Sequence, residues 1–312
     1  MHSFDIYLPI AEMPVNILVI LLLGMVGGFL SGMFGIGGGF LMTPLLIFMG
    51  IPPAVAVASS TNQIIAASVS GFLAHWRRKN VDIKMGAFLI AGGFIGSSGG
   101  VWLFAVLKRI GQIDLVISVS YFLFLGAIGT LMAVESIKRI REKKRGVAPG
   151  KPEIPGWLKS KKLPFIMEFP RSEIRLSAVL PVAVGLLAGI LVSLMGIGGG
   201  FLMIPAMIYI LGMPTSVVIG TSLFQIIFTT ANVTFLQAVN THTVDIVLAI
   251  LLISGSVMGA QIGTRAATRL PGEKMRMLLS LIVLAVALKL AFDLFTEPRN
   301  PYSVIELEGR HE

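Results

Sequence analysis

No cysteine occurs in the 312 residues, which excludes disulfides, thiolate metal sites and cysteine nucleophiles. Charge is scarce as well. Only 13% of positions are Asp, Glu, Lys or Arg, against about 25% in an ordinary soluble domain, while 55% are apolar. This deficit excludes a soluble globular protein. The net charge of +9 then needs a reading other than nucleic-acid binding, because proteins that grip phosphates carry their charge on a water-facing fold. No HExxH, Walker loop or nucleophile elbow is found. No enzyme activity, catalytic residue, metal site or cofactor is therefore expected, and no nucleic-acid partner.

What the chain has instead is long apolar runs. A bilayer-crossing helix takes about 20 apolar residues, and such runs occupy 15–33, 54–74, 85–107, 115–134, 178–194, 215–239, 246–266 and 276–295. Two shorter pieces, 38–50 and 199–211, follow glycine-rich breaks. At 1.5 Å per residue each reaches roughly 20 Å, short of the roughly 30 Å hydrocarbon core, so both are expected to be half-helices. No Lys or Arg precedes Arg77, so the basic n-region of a cleavable leader is missing and the first span is expected to stay in place.

Between Ser136 and Arg175 lies one water-soluble stretch with twelve basic and four acidic residues, eight of the nine net positive charges. The positive-inside rule assigns it to the cytoplasm. Such a linker either contacts anionic lipid heads or serves only to fix topology.

The strongest signal is internal. Residues 35–44, GIGGGFLMTP, reappear as 196–205, GIGGGFLMIP, with one difference in ten. Gly50-Ile51-Pro52 then aligns with Gly212-Met213-Pro214, Ser60 with Ser222, Gln63 with Gln225, Asp82 with Asp245, and Gly92 and Gly96 with Gly255 and Gly259. The chain divides into a first membrane repeat (1–135), the basic linker (136–175), a second repeat (176–296) and a tail (297–312). Matching glycine/proline interruptions in two membrane halves are the pattern of secondary transporters. The loop at 75–84 is rich in Lys and Arg while its counterpart near 240–245 has none, and the next loop pair reverses this bias. That favours inverted repeats with both termini outside.

Consecutive glycines let the backbone leave helical geometry and approach a ligand, and a half-helix starting after them aims free N–H groups at an anion. Gly35, Gly37, Gly38 and Gly39, with Gly196, Gly198, Gly199 and Gly200, are the first candidates for a midplane substrate site. The competing reading is close helix packing. GIGGGF is not a dinucleotide fingerprint, since no strand precedes it and no acidic ribose partner follows. Ser60, Gln63, Ser222 and Gln225 open the next helices at equivalent places and would complete a shell of hydroxyls and amides. Thr229, Thr230 and Asn232 read as helix-to-helix hydrogen bonding. Only Lys289 and Asp293 lie well within a span, four apart. His75 and His242 fall at span ends, where a solvated histidine is ordinary. A site with no carboxylate prefers anions.

The duplicated Gly35–Pro44 and Gly196–Pro205 block, the Gly-x-Pro at 50–52 and 212–214, and the Ser/Thr-rich helix starts ending in Gln63 and Gln225 resemble the sulfite exporter TauE/SafE family of membrane permeases. The resemblance covers both membrane halves and leaves out linker and tail. It implies about eight spans and export or exchange of small sulfur-containing anions across the bacterial plasma membrane. The expectation is thus an all-α polytopic membrane protein with eight full spans and two half-helices, moving a small sulfur oxyanion by alternating access. An anion channel and a membrane-embedded scaffold remain as alternatives. Oligomeric state is not legible in the sequence.

Overall fold

The computed structural model describes residues 4–34, 39–144, 165–267 and 272–295. Its first half is a hairpin of β1 (Asp5–Leu8) and β2 (Met13–Asn16), then α1 (Ile17–Phe34), α2 (Gly39–Phe48), α3 (Pro53–Arg77), α4 (Ile83–Arg109) and α5 (Ile113–Lys144). The second half repeats that order with β3 (Ile166–Phe169), β4 (Ile174–Ser177), α6 (Val179–Met195), α7 (Gly200–Pro205) running into a π-helical turn at Ala206–Ile210, α8 (Thr215–Asn240), α9 (Ile246–Ala267) and α10 (Gly272–Phe295). A helix occupies each of the eight long apolar runs expected from the sequence, and a short one follows each glycine-rich break. The hairpins were not foreseen: residues 166–177 form the counterpart of 5–16 at the same offset of 161 that relates the glycine blocks. Residues 136–144 continue α5.

α1, α4, α5, α8 and α9 each contain a stretch long and apolar enough to cross a bilayer. α3 has 25 residues but carries Ser59, Ser60, Thr61 and Gln63, all fully buried. Its polar groups thus face protein, where they are tolerated, rather than lipid.

Each half-helix returns the chain toward the face from which it came. After α2, Gly50 sits beside Met13, and Ile51 packs in one cluster with Leu8, Ala11 and Val15 of the first hairpin. α3 therefore starts at the end where α1 started.

The two halves are interleaved through glycine. Gly24, Gly28 and Gly32 of α1 lie against Leu252, Ser256 and Ala260 of α9 so closely that a β-carbon on any of them would collide with the facing backbone carbonyl. Gly255, Gly259 and Gly263 of α9 stand in the same relation to Leu21, Met25 and Phe29. The repeat-equivalent pair, α6 with α4, is built likewise through Gly185, Gly189, Gly92 and Gly96. Small residues every fourth position permit the close approach that drives helix association where no hydrophobic effect operates.

α3 and α8 decide the symmetry. Thr61 Oγ1 meets Thr234 Oγ1 at 2.9 Å, Gly71 faces Leu223, and Phe72 stacks on Phe224. Residue numbers rise on one helix as they fall on the other, so the two run antiparallel. Since α3 and α8 are repeat equivalents, the repeats are inverted about a two-fold axis in the membrane plane. The Arg171 Nε donates to the Lys79 carbonyl at 2.8 Å and the Lys84 Nζ to the Glu168 carbonyl at 2.8 Å, so the β3–β4 hairpin and the α3–α4 turn share one face. The Lys108 Nζ donates to the Thr241 carbonyl at 2.6 Å, which sets the α4–α5 and α8–α9 turns on the other.

The aligned aspartates staple the halves together. Asp82 caps α4, accepting from the Met85 amide (2.9 Å), and its other oxygen takes the Ser172 amide (3.1 Å) from the opposite half's hairpin. Asp245 caps α9 through the Leu248 amide (3.1 Å) and takes the Ile10 amide (2.9 Å). Their own amides donate to Thr221 and Ser59 respectively, again across halves. Losing an N-cap carboxylate costs about 1–2 kcal/mol, and the buried hairpin amide it also holds adds to that. Asp245→Ala is expected to lower the melting temperature of the detergent-purified protein clearly, with Asp245→Asn retaining part of the loss because its amide oxygen still caps.

Candidate functional site

The second glycine break is described in full. Gly196 (φ +63°), Gly198 (+76°) and Gly199 (+74°) occupy left-handed backbone, which L side chains adopt only at a cost. This reversal ends α6 and starts α7 without a loop long enough to expose peptide groups. It is covered by the other half. A β-carbon on Gly196 would lie 2.9 Å from the Val57 carbonyl oxygen and 3.1 Å from Ser60 Oγ, and one on Gly198 would lie 2.7 Å from the Ile64 side chain, all on α3. A β-carbon on Gly39 would be 2.7 Å from the Gly196 carbonyl oxygen, so the start of α2 touches the partner break. Gly200 opens α7 and is buried. Gly35, Gly37 and Gly38 lie outside the described residues. The next residues, Phe40 and Phe201, are repeat equivalents and stack at 4.8 Å with rings within 8° of parallel, as expected at a two-fold axis.

The four hydroxyl and amide candidates are fully buried, but they form two groups rather than one shell. From the α3–α8 register the two-fold passes near Ala67 and Thr229; at about 1.5 Å per residue, Gln63 and Gln225 lie roughly 5 Å to either side of it, and Ser60 and Ser222 roughly 10 Å. Ser60 Oγ donates to the Val57 carbonyl (3.0 Å) and Ser222 Oγ to the Ile219 carbonyl (2.9 Å), the same bond in each half.

The glutamines are held equivalently by non-equivalent residues. Gln63 Nε2 is 3.3 Å from Ser256 Oγ on α9. Gln225 Nε2 is 2.8 Å from Thr229 Oγ1 on its own helix. At the place of Ser256 the first half has Gly93, whose β-carbon would crowd both Thr229 and Gln225. The hydroxyl has moved from one helix to the other while its role is kept. In both halves Oε1 is left buried with no partner. Among the described residues no group of three His, Cys, Asp or Glu is placed to hold a metal ion.

Two contributors escaped the sequence reading. Thr43, the one mismatch in the duplicated block, sits 2.8 Å from Ser60 Oγ and within hydrogen-bond reach of Tyr121. The Tyr121 hydroxyl donates to the Met195 carbonyl, directly before the glycine break. The second half has Ile204 in place of Thr43, so this hydroxyl has no counterpart there. Nothing local in the sequence marks Tyr121 within its apolar run. Lys289 and Asp293 pair at 2.8 Å, with Lys289 Nζ also 3.8 Å above the Phe48 ring, away from the breaks. Removing a buried partner costs about 1–3 kcal/mol. Tyr121→Phe is therefore expected to lower thermal stability by about 2 kcal/mol, with Leu125→Met, on the same helix, as a near-neutral control.

Inverted membrane repeats built around glycine breaks, the second of them covered by the other half, define a membrane transporter. Residues 20–290 match the family model described as sulfite exporter TauE/SafE, and the chain belongs to that family. It is 28% identical over 274 residues to a probable membrane transporter protein, YjnA, of Bacillus subtilis, covering 87% of this chain and 98% of the relative. It is 30% identical over 272 residues to a probable membrane transporter protein of Xylella fastidiosa, covering 84% and 89%. A shorter match, 25% over 123 residues and 37% of this chain, is to sulfite exporter TauE/SafE family protein 3 of Arabidopsis thaliana. No solved structure matches.

Proposed function

We propose that the protein carries a small sulfur oxyanion, sulfite or an organosulfonate, across a bacterial plasma membrane by alternating access around the paired glycine breaks. The observation that carries this reading is the Gly196–Gly199 break covered by Val57, Ser60 and Ile64 of the other half's α3, with Gln63 and Gln225 buried at repeat-equivalent places on the antiparallel α3 and α8. The two orientations of each glutamine amide present different chemistry. With Nε2 on the neighbouring hydroxyl, a bare carbonyl is left; turned over, the hydroxyl donates to Oε1 and the NH₂ group is free. An anion selects the second, and a pair of free NH₂ groups related by the two-fold gives it a binding position on either side of the axis.

Sidedness follows from charge. Arg77, Arg78, Lys79 and Lys84 share a face with the β3–β4 hairpin that closes the basic 136–175 stretch, whereas Lys108 and Arg109 stand on the other. The positive-inside rule sets the first face in the cytoplasm, with both termini outside and the linker facing anionic lipid heads.

Proteoliposomes holding the full chain are expected to show saturable, trans-stimulated exchange of labelled sulfite, with sulfoacetate, thiosulfate, taurine and sulfate ranking the selectivity. Flux without trans-stimulation indicates a channel instead. Gly199→Val, which forces a β-branched residue into left-handed backbone, is expected to cut exchange at least about tenfold while the protein still inserts. Normal exchange by that variant removes the glycine site. Deleting residues 146–163 is expected to leave most of the flux, whereas a scaffold working through its linker would lose its function.

A further inference from the structure

The two faces of this pseudo-symmetric molecule are not equally closed. On the face bearing the α3–α4 turn, a cavity of about 190 Å³ lies between the ends of α1, α3, α8 and α9. It reaches from the exposed Arg78 to Ser31, which is buried to 2% exposure. Two polar atoms on its lining, Ser31 Oγ and His75 Nδ1, are buried without a hydrogen-bond partner. Among the described residues that line it, none is acidic. A water takes up about 30 Å³, so the space admits a small oxyanion.

The two-fold-related position is filled. Val192 stands where the first half has Ser31, Val233 where it has Gly71, and Val101 where the second half has Thr264. These three valines form a buried cluster with Leu236, the counterpart of Ala74, packed against it. Gln237, in place of His75, donates to the Ser193 carbonyl at 3.1 Å. One face is therefore plugged by branched apolar side chains, and the other is opened by small and polar ones at the same repeat positions.

We propose that this cavity is an anion-binding vestibule, in which the Arg78 guanidinium, an N–H at His75 Nδ1 and the Ser31 hydroxyl hold a small oxyanion before it passes to the glycine breaks. The guanidinium fork matches two oxygens of a sulfite or sulfonate group. A neutral imidazole supplies a donor from Nδ1 when that nitrogen carries its proton. The third donor comes from the hydroxyl one helical turn beyond Gly27, whose β-carbon would touch Gln63 Nε2, so the vestibule points along α1 toward the first amide. The binding claim stands on the cavity alone, and its role as a waiting place rests on the transport reading above.

The test installs the closed face's residues on the open one: Ser31→Val and Arg78→Asn, singly, in the full chain. Equilibrium binding of radiolabelled sulfite to the purified protein is measured together with the half-saturation constant for exchange from each side of oriented proteoliposomes. Hydrogen bonds to charged groups are each worth about tenfold or more in affinity. Each variant is thus expected to weaken binding about tenfold and to raise the half-saturation constant from the linker side only, with the maximal rate retained. Val192→Ser, on the plugged face, is expected to leave both unchanged. Wild-type affinity and half-saturation in both Ser31→Val and Arg78→Asn, or no sulfite binding by the unaltered protein, overturns the vestibule. If sulfite binds and the variants lose it but no exchange occurs, the vestibule stands and the transport reading fails. If exchange is normal from both sides in the variants while Gly199→Val abolishes it, the transport reading stands and the vestibule fails.

Discussion

In hydrocarbon a peptide group without a hydrogen-bond partner costs several kcal/mol, so a chain can interrupt a helix at mid-membrane only where protein covers the interruption. The architecture follows from that constraint. The break at Gly196–Gly199 is covered by Val57, Ser60 and Ile64 of the other half, and Tyr121 reaches across to take up the last carbonyl before it. Both contributions reach this break from the first half. The glycine stripes, the aspartate staples and the Phe40–Phe201 stack likewise run between halves, and α1 packs on α9 and α4 on α6 rather than on neighbours in sequence.

The same exchange makes a rocking motion physically intelligible. Contacts between halves through glycine are contacts of backbone with backbone, which allow sliding without large side chains having to change rotamer. In the alternating-access mechanism proposed above, two-fold symmetry would provide two related arrangements of similar energy, and small differences between the repeats would choose between them. Ser31, Gly71 and Thr264 against Val192, Val233 and Val101 are such differences, placed at the mouths. The exchange of a hydroxyl between Ser256 and Thr229 is another, placed beside the amides. It alters the local sequence while preserving what each glutamine meets.

Much of the fold was legible because membrane helices are written in long apolar runs and the duplicated glycine block exposed the repeat. Inversion could be inferred from loop charge and is carried in the structure by Thr61 against Thr234 and Phe72 against Phe224. The hairpins around Leu8 and Phe169 were not legible: four-residue strands leave no periodicity, and one was hidden in a stretch whose basic charge suggested only a linker. The candidate site was legible by residue type but not by arrangement. Ser60 and Ser222 looked like members of one shell, whereas the antiparallel register of α3 and α8 separates them along the membrane normal. Thr43 and Tyr121 became visible only once α5 was laid beside the break, since their pairing depends on a contact between residues 78 apart in sequence. The vestibule depends on four helices at once and has no local signature.

The absence of cysteine that opened the sequence also makes the central claim directly testable. Single cysteines at Arg77 and Asn240 would mark the ends of α3 and α8, which are repeat equivalents. With a membrane-impermeant maleimide applied to right-side-out and inverted vesicles, the inverted architecture predicts labelling from opposite faces, Arg77→Cys from the side of the basic linker and Asn240→Cys from the other. Labelling of both from the same face would contradict it.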